Sequence, residues 1–298
     1  MAAAIRSDKR SVLQAVASRT KEGSDRFTEL GATQLHASYA TLAAFDEVDV
    51  VHIATPHTTH YENALLCLNA GKHVVCEKPL TLSGSHAEAL FAAFRREGLF
   101  LMEAVWPRFL PAVIRHQRLI REGALGTPQF VSASFALRLD PASHPRIYDP
   151  ALGGGVVNEL GTYPLAFAVA SLGPILSCRA MAKRHGAVPE QCLLQCLHAK
   201  GLSSGFCALN FQGRNYVTTV GTDGQSTLLP AAGRFEKLSI LSYANGAETI
   251  EHHPYDGTSY ELMVEHVNEC IRDGLLESPL MPLAESLNIV SALENCHA

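Results

Sequence analysis

The residues of this sequence best suited to chemistry are Glu77 and Lys78, an ionisable pair that follows a short apolar run. Val74 and Val75 suit a buried strand, and Pro79, which has no backbone N–H, ends it. The pair therefore lies at the carboxyl end of a strand, where open α/β sheets bind their ligands. A lysine in such a crevice can hold its charge against a hydroxyl or carbonyl oxygen and help to move the proton. An ordinary strand end with a surface ion pair explains the same spacing equally well.

The elements that must position this pair alternate between apolar runs and helical segments, which predicts a doubly wound parallel sheet of the Rossmann-like α/β class. Strands are predicted at residues 12–17, 48–54 and 99–105 and in the run that ends at Glu77. Helices are predicted at residues 2–6, 25–30, 39–45, 59–69 and 85–96.

After Trp106 the pattern changes. Helices are predicted at residues 111–122, 260–272 and 282–295, and one long apolar helix runs from the triple glycine 153–155 to residue 172. Extended runs cover residues 129–139, 175–182, 192–198, 205–211, 216–220 and 238–243, with turn signals at 221–224 and 245–246. We therefore expect two domains, residues 1–106 and residues 107–298. The second is an α+β domain whose large, mainly antiparallel open sheet could offer one face to a partner subunit, forming a homodimer.

Composition excludes several classes of function. The formal net charge of −5 gives no reason to expect nucleic acid or an anionic membrane as a partner. No apolar run reaches the roughly 20 residues that span a bilayer, and we expect no export signal before Arg6. The eight cysteines are scattered, without a CxxC pair or a His/Cys cluster of zinc-ligand spacing. These features are typical of a cytoplasmic protein with reduced thiols and no metal site.

Three stretches together resemble the Gfo/Idh/MocA family of nicotinamide-dependent oxidoreductases. They are residues 48–60 (VDVVHIATPHTTH), residues 70–79 (AGKHVVCEKP) and residues 102–109 (MEAVWPRF). The strand–Glu-Lys-Pro motif of the family is unaltered here, and the resemblance extends from about residue 4 to the C-terminus. Within the family, the chain is most similar to the branch of dimeric dihydrodiol dehydrogenases and xylose dehydrogenases.

The resemblance also implies the catalytic residues. Residues 159–163 (ELGTY) match the family pattern Asp-x-Gly-x-His, which is Asp-x-Gly-x-Tyr in this branch. Glu159 replaces the aspartate beside the substrate, and Tyr163 stands where the branch has its catalytic tyrosine. A phenol beside the ammonium of Lys78 can have its pKa lowered and pass a proton to or from a substrate hydroxyl. Judged from the residues alone, Tyr163 is a packed aromatic side chain on an apolar helix.

The same resemblance implies where the cofactor and substrate bind. The cofactor-binding positions are Ser18, Arg19, Ala54, Thr55, Pro56, His60, Glu77, Lys78 and Arg108, and the substrate-binding positions are Trp106, Glu159 and Tyr163. No acidic residue follows the strand at 12–17, so Arg19 favours NADP, with NAD possible. A solvated loop arginine, a surface histidine at position 60 and a core tryptophan at the domain junction are the alternative interpretations.

A dinucleotide-binding domain normally opens with a strand, a GxGxxG loop and a helix whose N-terminus holds the pyrophosphate. Neither that strand nor that loop is found, and residues 1–6 match the helix that should follow them. In the strand order 3-2-1-4-5-6 the first strand is central, so the strands at 12–17 and 48–54 either pair directly or leave two open edges. Our hypothesis is that the sequence is a shortened form of a complete enzyme.

Two functions remain open at this point. The first is an NADP-dependent oxidoreductase that moves hydride between nicotinamide and a hydroxyl-bearing carbon of a sugar or cyclic dihydrodiol. The second is a catalytically impaired relative that binds sugar or serves as a scaffold dimer. The lack of the glycine loop and the glutamate at position 159 point towards the second.

Overall fold

The computed structural model describes residues 1–18, 31–231 and 234–296. Its helices are α1 (Ala2–Ser7), α2 (Tyr39–Ala43), α3 (His60–Asn69), α4 (Gly84–Glu97), α5 (Pro111–Arg121), α6 (Val156–Leu160), α7 (Thr162–Leu172), α8 (Tyr260–Arg272) and α9 (Leu283–Asn295). Its strands are β1 (Ala15–Ala17), β2 (Gln34–His36), β3 (Val50–Ile53), β4 (His73–Glu77), β5 (Leu101–Ala104), β6 (Pro128–Ala136), β7 (Ile175–His185), β8 (Val188–His198), β9 (Leu202–Ala208), β10 (Tyr216–Gly221), β11 (Gly224–Ala231), β12 (Arg234–Ser242) and β13 (Glu248–His252).

The first domain contains the predicted parallel strands, divided between two small sheets. β1 pairs with β2, and β3, β4 and β5 form a separate three-stranded sheet, with every pairing parallel. Within the described residues β1 and β3 do not pair, and a cavity of about 1100 Å³ lies between them. The sequence allowed two outcomes, direct pairing of these two strands or two unpaired edges. In the part of the chain that the structure describes, the edges are unpaired.

β4 is buried along its centre, and it ends where the sequence predicts. Val74, Val75 and Cys76 are almost wholly buried, as expected for a strand covered by helices on both faces. The ladder stops at Glu77 because Pro79 follows, after a cis Lys78–Pro79 peptide bond. Lys78 is therefore the first residue beyond the strand, at its carboxyl end.

The second domain is built on an eight-stranded sheet in the order β13-β12-β11-β10-β6-β9-β8-β7. All neighbours are antiparallel except β6 and β9, which are parallel, so the expected mainly antiparallel sheet is found. α5 and α7 pack on one face, where the rings of Phe135, Phe167 and Phe235 contact one another. The other face carries no helix of the described part of the chain.

Three strands were not predicted, and one predicted helix is divided. β2 has only three residues, β11 contains Pro230, and β13 is a mostly polar edge strand, so none gives a strong apolar pattern. The single helix expected over 156–172 is wrong: α6 ends at Leu160 and α7 begins at Thr162. Pro164 lies in the first turn of α7 and cannot donate a hydrogen bond to Leu160, so the helix breaks there. The helix predicted over residues 25–30 lies outside the described residues.

No described helix is both long and apolar enough to span a bilayer.

Candidate active site

Lys78 and Tyr163 come together from different domains. Lys78 follows β4 and is only 7% exposed, and Tyr163 lies in the first turn of α7. The Lys78 Nζ atom is 5.4 Å from the centre of the Tyr163 ring. The ammonium also donates a 2.6 Å hydrogen bond to the backbone oxygen of Glu159, which fixes the lysine against the helix that precedes Tyr163.

Aromatic side chains hold the phenol of Tyr163 in place. The indole Nε1 of Trp106 donates a hydrogen bond of 3.2 Å to the Tyr163 hydroxyl, and the two rings meet edge to face. Phe135 stacks on the other side of Tyr163 at a centroid distance of 5.2 Å. Tyr260, from α8, packs against Trp106. The phenol oxygen thus has a fixed donor and an aromatic wall beside it.

Glu159 is the centre of a charged network that joins the two domains. One carboxylate oxygen, Oε1, lies 3.3 Å from Lys78 Nζ, while Oε2 accepts a 3.2 Å hydrogen bond from Arg146 and lies 3.6 Å from His57 Nε2. Burial alone would raise the pKa of Glu159, but the charges of Lys78 and Arg146 hold it below its usual range. Burial, together with the charge of Lys78, lowers the pKa of His57 to about 4. At neutral pH the network is therefore a carboxylate between two cations, with a neutral imidazole.

The pKa of Tyr163 moves in the direction opposite to the one expected. Burial raises it above its ordinary value, the negative charge of Glu77 adds to this, and the Trp106 hydrogen bond opposes it only in part. The expectation of a lowered pKa is wrong because burial penalises the phenolate, and the negative charges of Glu77, Glu159 and Glu103 disfavour it further. Tyr163 is thus a phenol, and a proton donor, at neutral pH.

The positions predicted to line the cofactor groove surround the cavity between β1 and β3. Ser18, Ala54, Thr55 and Pro56 all lie on its wall, at the carboxyl ends of the two strands. The cavity also reaches His52, whose Nε2 is 3.3 Å from Oε1 of Glu77. Glu77, Lys78 and Tyr163 are not among the residues that line this cavity. Arg19 lies outside the described residues.

His60 is buried beneath the groove. Nδ1 of its ring is 2.8 Å from the backbone oxygen of Pro79, and Nε2 is 2.9 Å from that of Thr55. Burial lowers the pKa of His60, and a neutral imidazole can donate to only one of these two carbonyls. The ring therefore links the loops that follow β3 and β4, and it holds Thr55 in place rather than facing the groove itself.

Arg108 is not brought to this group of residues. Its NH1 atom donates to the backbone oxygen of Ala166 at 3.0 Å and to Oε2 of Glu285 at 2.9 Å. The guanidinium is buried among α7 and α9, and the contacts observed for it are structural ones. A cofactor contact of Arg108 stays a prediction. Because Arg108 is two residues after Trp106 in the sequence, it was expected at the same site. The Trp106–Phe109 3₁₀ helix instead turns the two side chains to different partners.

Three residues of the site were missed by reasoning from the sequence. His57 directly follows Thr55-Pro56 and Arg146 precedes the triple glycine, so both had a positional signal that no motif strengthened. Tyr260 had none, because α8 is far along the chain and only folding places it beside Trp106. Among the described residues, no group of three or more histidine, cysteine or acidic side chains is arranged to hold a metal ion.

Two family models match this chain. Residues 1–105 match an oxidoreductase family with an NAD-binding Rossmann fold, and residues 113–226 match the C-terminal domain of Gfo/Idh/MocA proteins. A curated trans-1,2-dihydrobenzene-1,2-diol dehydrogenase from Bos taurus is 33% identical over 279 residues, which is 87% of this chain and 79% of the relative. The chain belongs to the Gfo/Idh/MocA oxidoreductase family. The protein is accordingly an NAD(P)-dependent oxidoreductase.

Further comparisons concern one more relative and two solved structures. The dihydrodiol dehydrogenase of Xenopus laevis is 29% identical, covering 94% of this chain and 87% of that one. Among solved structures, a 3-ketoreductase from Actinomadura kijaniata has a TM-score of 0.85 at 24% identity, covering 99% of this chain and 92% of that chain. An aldose–aldose oxidoreductase from Caulobacter crescentus has a TM-score of 0.82 at 24% identity, covering 96% and 88%. These two structures support the fold.

The residues of this Gfo/Idh/MocA protein fit part of a nicotinamide dinucleotide. Thr55, with its hydroxyl fixed by Asn63 at 3.0 Å, offers a polar group at the carboxyl end of β3, and the cavity is large enough for a mononucleotide unit or more. Ser18 offers a second hydroxyl across the cavity. The described residues contain no glycine-rich turn here, so the structure assigns no contact to the pyrophosphate.

Proposed function

We propose that this oxidoreductase moves hydride between NADP and a hydroxyl-bearing carbon of a sugar or cyclic dihydrodiol, with Lys78 and Tyr163 handling the proton. The observation that carries the proposal is the 5.4 Å approach of the Lys78 ammonium to the Tyr163 ring, across two domains. When bound, the nicotinamide supplies or accepts the hydride. The chain's own residues orient the substrate and move the proton.

Each side chain has a distinct task in this mechanism. Tyr163 donates its phenolic proton to the oxygen of a carbonyl substrate, and the indole N–H of Trp106 then stabilises the phenolate that remains. Lys78 presents its positive charge to the same oxygen as negative charge develops there. Glu159 holds the ammonium in place and offsets its charge while no substrate is bound. In the oxidation direction, the proton returns along the same path.

Replacement of Lys78 by methionine tests the proposal. We expect turnover to fall by about 10²–10⁴-fold, the usual contribution of a positioned proton-transfer group, and Tyr163→Phe to cause a comparable loss. Lys183→Met, at an exposed position of β7, is the matched control and should leave turnover unchanged. Steady-state rates with NADP and with a dihydrodiol or an aldose are the measurement, and circular dichroism confirms folding. Wild-type activity in the Lys78→Met variant would falsify the assignment.

The nature of the site also suggests the class of substrate. The aromatic wall of Trp106, Tyr163 and Tyr260 suits the flat or puckered ring of a dihydrodiol or a pyranose. The curated relatives named as trans-1,2-dihydrobenzene-1,2-diol dehydrogenases support a cyclic diol. Our preference for NADP over NAD follows from Ser18-Arg19 in the sequence, where no carboxylate is available for a ribose 2′-hydroxyl.

The alternative of an impaired relative rested on Glu159 and on the lack of the glycine loop. Glu159 does not favour it, because its carboxylate still reaches Lys78. The lack of a glycine-rich turn among the described residues is the feature that still favours it, and the turnover of the wild-type chain decides between the two functions. We place the protein in the cytoplasm because all eight cysteines are free and most are buried, as is typical of reducing compartments.

We also propose that two copies of the chain associate through the open face of the second domain's sheet. Leu197 on β8, Leu202 on β9, Phe130 on β6 and Val220 on β10 are paired in sequence across four strands, so their side chains lie in one row on the same face. Leu197, Leu202 and Phe130 are exposed. A contiguous apolar row on a helix-free sheet face is typical of a subunit interface.

Analytical ultracentrifugation tests this interface. Leu202→Glu places a charge at the centre of the row, so we expect the dimer to dissociate at concentrations where the wild type sediments as a dimer. Leu275→Glu is the control, because Leu275 is similarly exposed but lies outside the sheet. A wild-type monomer at tens of micromolar, or equal dissociation in both variants, would contradict the proposal.

A further inference from the structure

Three cysteines meet at the edge of the second domain, away from the candidate active site. The Sγ atoms of Cys178 and Cys196 are 2.9 Å apart, and the Sγ atom of Cys296 is 3.5 Å from that of Cys178. Both distances bring unbonded sulfur atoms into direct contact. Cys178 is common to both contacts, so it can bond to either neighbour.

The backbone places the first two thiols in register. Cys178 on β7 and Cys196 on β8 are directly opposite each other in an antiparallel pair, where Cα atoms lie about 4.5–5.5 Å apart. Disulfides need Cα separations of about 4.4–6.8 Å. A bond between these two residues therefore requires rotation of side chains and little movement of the backbone.

The third thiol is brought to the same point by α9. Asn288 accepts a hydrogen bond from the backbone nitrogen of Ile175 and donates one to its backbone oxygen, which fixes the middle of α9 beside the start of β7. From Asn288 to Cys296 a helix advances about 12 Å, and from Ile175 to Cys178 a strand advances about 10 Å. The two elements thus run alongside each other, and the end of α9 reaches Cys178.

Access differs between these thiols and the other cysteine pair of the sheet. β7 is the edge strand, and Cys178 and Cys296 are only partly buried, so the Cys178–Cys196 pair has one partly exposed sulfur although Cys196 itself is buried. Cys192 and Cys207 are also opposite each other, on β8 and β9, but both are sealed in the core. Cys192 and Cys207 therefore provide an internal comparison. They are opposite each other in the same way, but neither thiol is accessible to solvent.

We propose that Cys178, Cys196 and Cys296 form a peroxide-oxidisable thiol cluster that can bond β7 to β8 or, alternatively, tie the C-terminal helix α9 to β7. The cluster is independent of the proposed function, because none of its members contacts the candidate active site.

The chemistry balances with hydrogen peroxide as the oxidant. The Cys196 thiolate attacks one peroxide oxygen, the O–O bond breaks, and after uptake of a proton the products are a sulfenic acid and water. The Cys178 sulfur then attacks the sulfenic sulfur, forming the S–S bond and releasing a second water. Contact with Cys178 lowers the pKa of Cys196, whereas contact with Cys196 raises that of Cys178 to about 12, which makes Cys196 the first thiol to ionise.

Exchange then extends the bond to the helix. Contact with Cys178 and burial raise the pKa of Cys296 while Cys178 is reduced, so this thiol reacts only after Cys178 has been oxidised and Cys296 has lost its proton. Its thiolate then attacks the Cys178 sulfur, forms the Cys178–Cys296 bond and releases Cys196 as a thiolate. This step consumes no oxidant. The cluster therefore has one reduced form and two oxidised forms, which differ in whether the end of α9 is covalently held.

The full-length chain, treated with hydrogen peroxide and then alkylated, provides the test, with disulfides mapped by non-reducing peptide mass spectrometry. We expect a disulfide that includes Cys178 in the wild type and only the Cys178–Cys196 bond in Cys296→Ser. In Cys196→Ser we expect neither bond, because this variant lacks the thiol that peroxide oxidises first. Cys178→Ser should lose both. Cys207→Ser is the matched control and should give the wild-type pattern.

Three results would overturn the proposal. They are a wild-type chain whose cluster thiols stay reduced at peroxide concentrations that oxidise free glutathione, a disulfide yield in Cys178→Ser that equals that of the wild type, and a Cys178–Cys296 bond in Cys196→Ser at the wild-type yield. Serine is nearly the same size as cysteine, so the variants should fold. Thermal unfolding of the reduced proteins checks this, and an alanine substitution at the same cysteine replaces any serine variant that does not fold.

Discussion

The carboxylate of Glu159 is one methylene longer than the aspartate of the family pattern, and the structure shows where the extra length goes. Its Oε1 atom reaches Lys78 and its Oε2 atom reaches Arg146, while the backbone oxygen of the same residue also accepts from Lys78. The ammonium thus has two acceptors from one residue. A single glutamate fixes the lysine and keeps the second cation, Arg146, beside it.

A buried acid supports the same turn from below. Glu103, on β5, is fully buried, and its Oε1 accepts a 2.9 Å hydrogen bond from the backbone nitrogen of Leu80, just after Lys78-Pro79. Its Oε2 has no hydrogen-bond partner. Burial raises the pKa of Glu103 to about 7, so its carboxyl is protonated below that pH.

This raised pKa makes folding stability depend on pH. Because the folded-state pKa lies above the usual value of about 4.5, the contribution of Glu103 is complete below pH 4.5 and is lost as the pH rises through 7. We expect Glu103→Gln to gain up to about 3 kcal/mol over the wild type between pH 4.5 and 7.5, since a shift of one pKa unit corresponds to about 1.4 kcal/mol. Urea unfolding at several pH values measures the difference.

The control for this prediction is Glu88→Gln, at an exposed position of α4. Its free energy of unfolding should run parallel to that of the wild type across the same pH range. A Glu103→Gln curve that also runs parallel to the wild type would show that the buried acid does not titrate in this range.

At the scale of elements, the junction between α6 and α7 sets the position of Tyr163. Gly161 joins the two helices, and its N–H donates to the backbone oxygen of Val157 at 2.9 Å. An added Cβ would crowd that same oxygen and come within 2.8 Å of Leu293 Cδ2 on α9. There is room for no side chain at this junction.

Gly161→Ala should therefore shift α7 and the phenol it carries. We expect a loss of about 1–3 kcal/mol in the free energy of unfolding, as is usual for overpacked cores, together with a lower kcat. The double variant Gly161→Ala/Leu293→Ala removes the side chain that the new methyl group meets, so its losses should be smaller than the sum of the single variants. Strictly additive losses would place the origin of the effect elsewhere.

The same junction shows how far the sequence predicts the fold and where prediction fails. Apolar periodicity located β4, α5 and α8 because their patterns are strong and local, and α8 was predicted with its observed bounds. The division between α6 and α7 depends on Pro164. It was not predicted, because the apolar run around Pro164 is unbroken and indicates one continuous helix. β2 and β13 form because they pair with neighbouring strands, and the composition of a segment does not show which strand it will pair with.

The residues of the candidate site also divide into those that a local sequence pattern predicts and those that only the folded structure brings together. Lys78 was predicted because a strand end, a charge and a proline are adjacent in sequence. The pKa of Tyr163, by contrast, depends on burial and on charges from both domains, and its direction could not be predicted from the motif. Tyr260 reaches the site only through the packing of α8 against the Trp106–Phe109 turn.

At the scale of the whole molecule, several contacts hold the two domains in one arrangement. Besides Lys78 and Glu159, the backbone nitrogen of Gly84 donates to Glu294 on α9 at 2.8 Å, and Leu101 on β5 donates to the backbone oxygen of Leu276. The site lies between the domains, so anything that loosens this arrangement should act on catalysis as well as on stability.

Arg108 allows that coupling to be measured, because it fixes the junction segment after the first domain to α7 and α9. Arg108→Met removes the partner of Glu285 and of the Ala166 carbonyl, at a cost of about 1–3 kcal/mol. We expect a lower unfolding midpoint and a lower kcat, with an unchanged Kd for NADP, since the guanidinium faces the helices. The double variant Arg108→Met/Glu285→Met should recover part of the stability by removing the unpaired carboxylate. A Kd that rises while the unfolding midpoint stays constant would instead make Arg108 the cofactor contact that the sequence motif suggested.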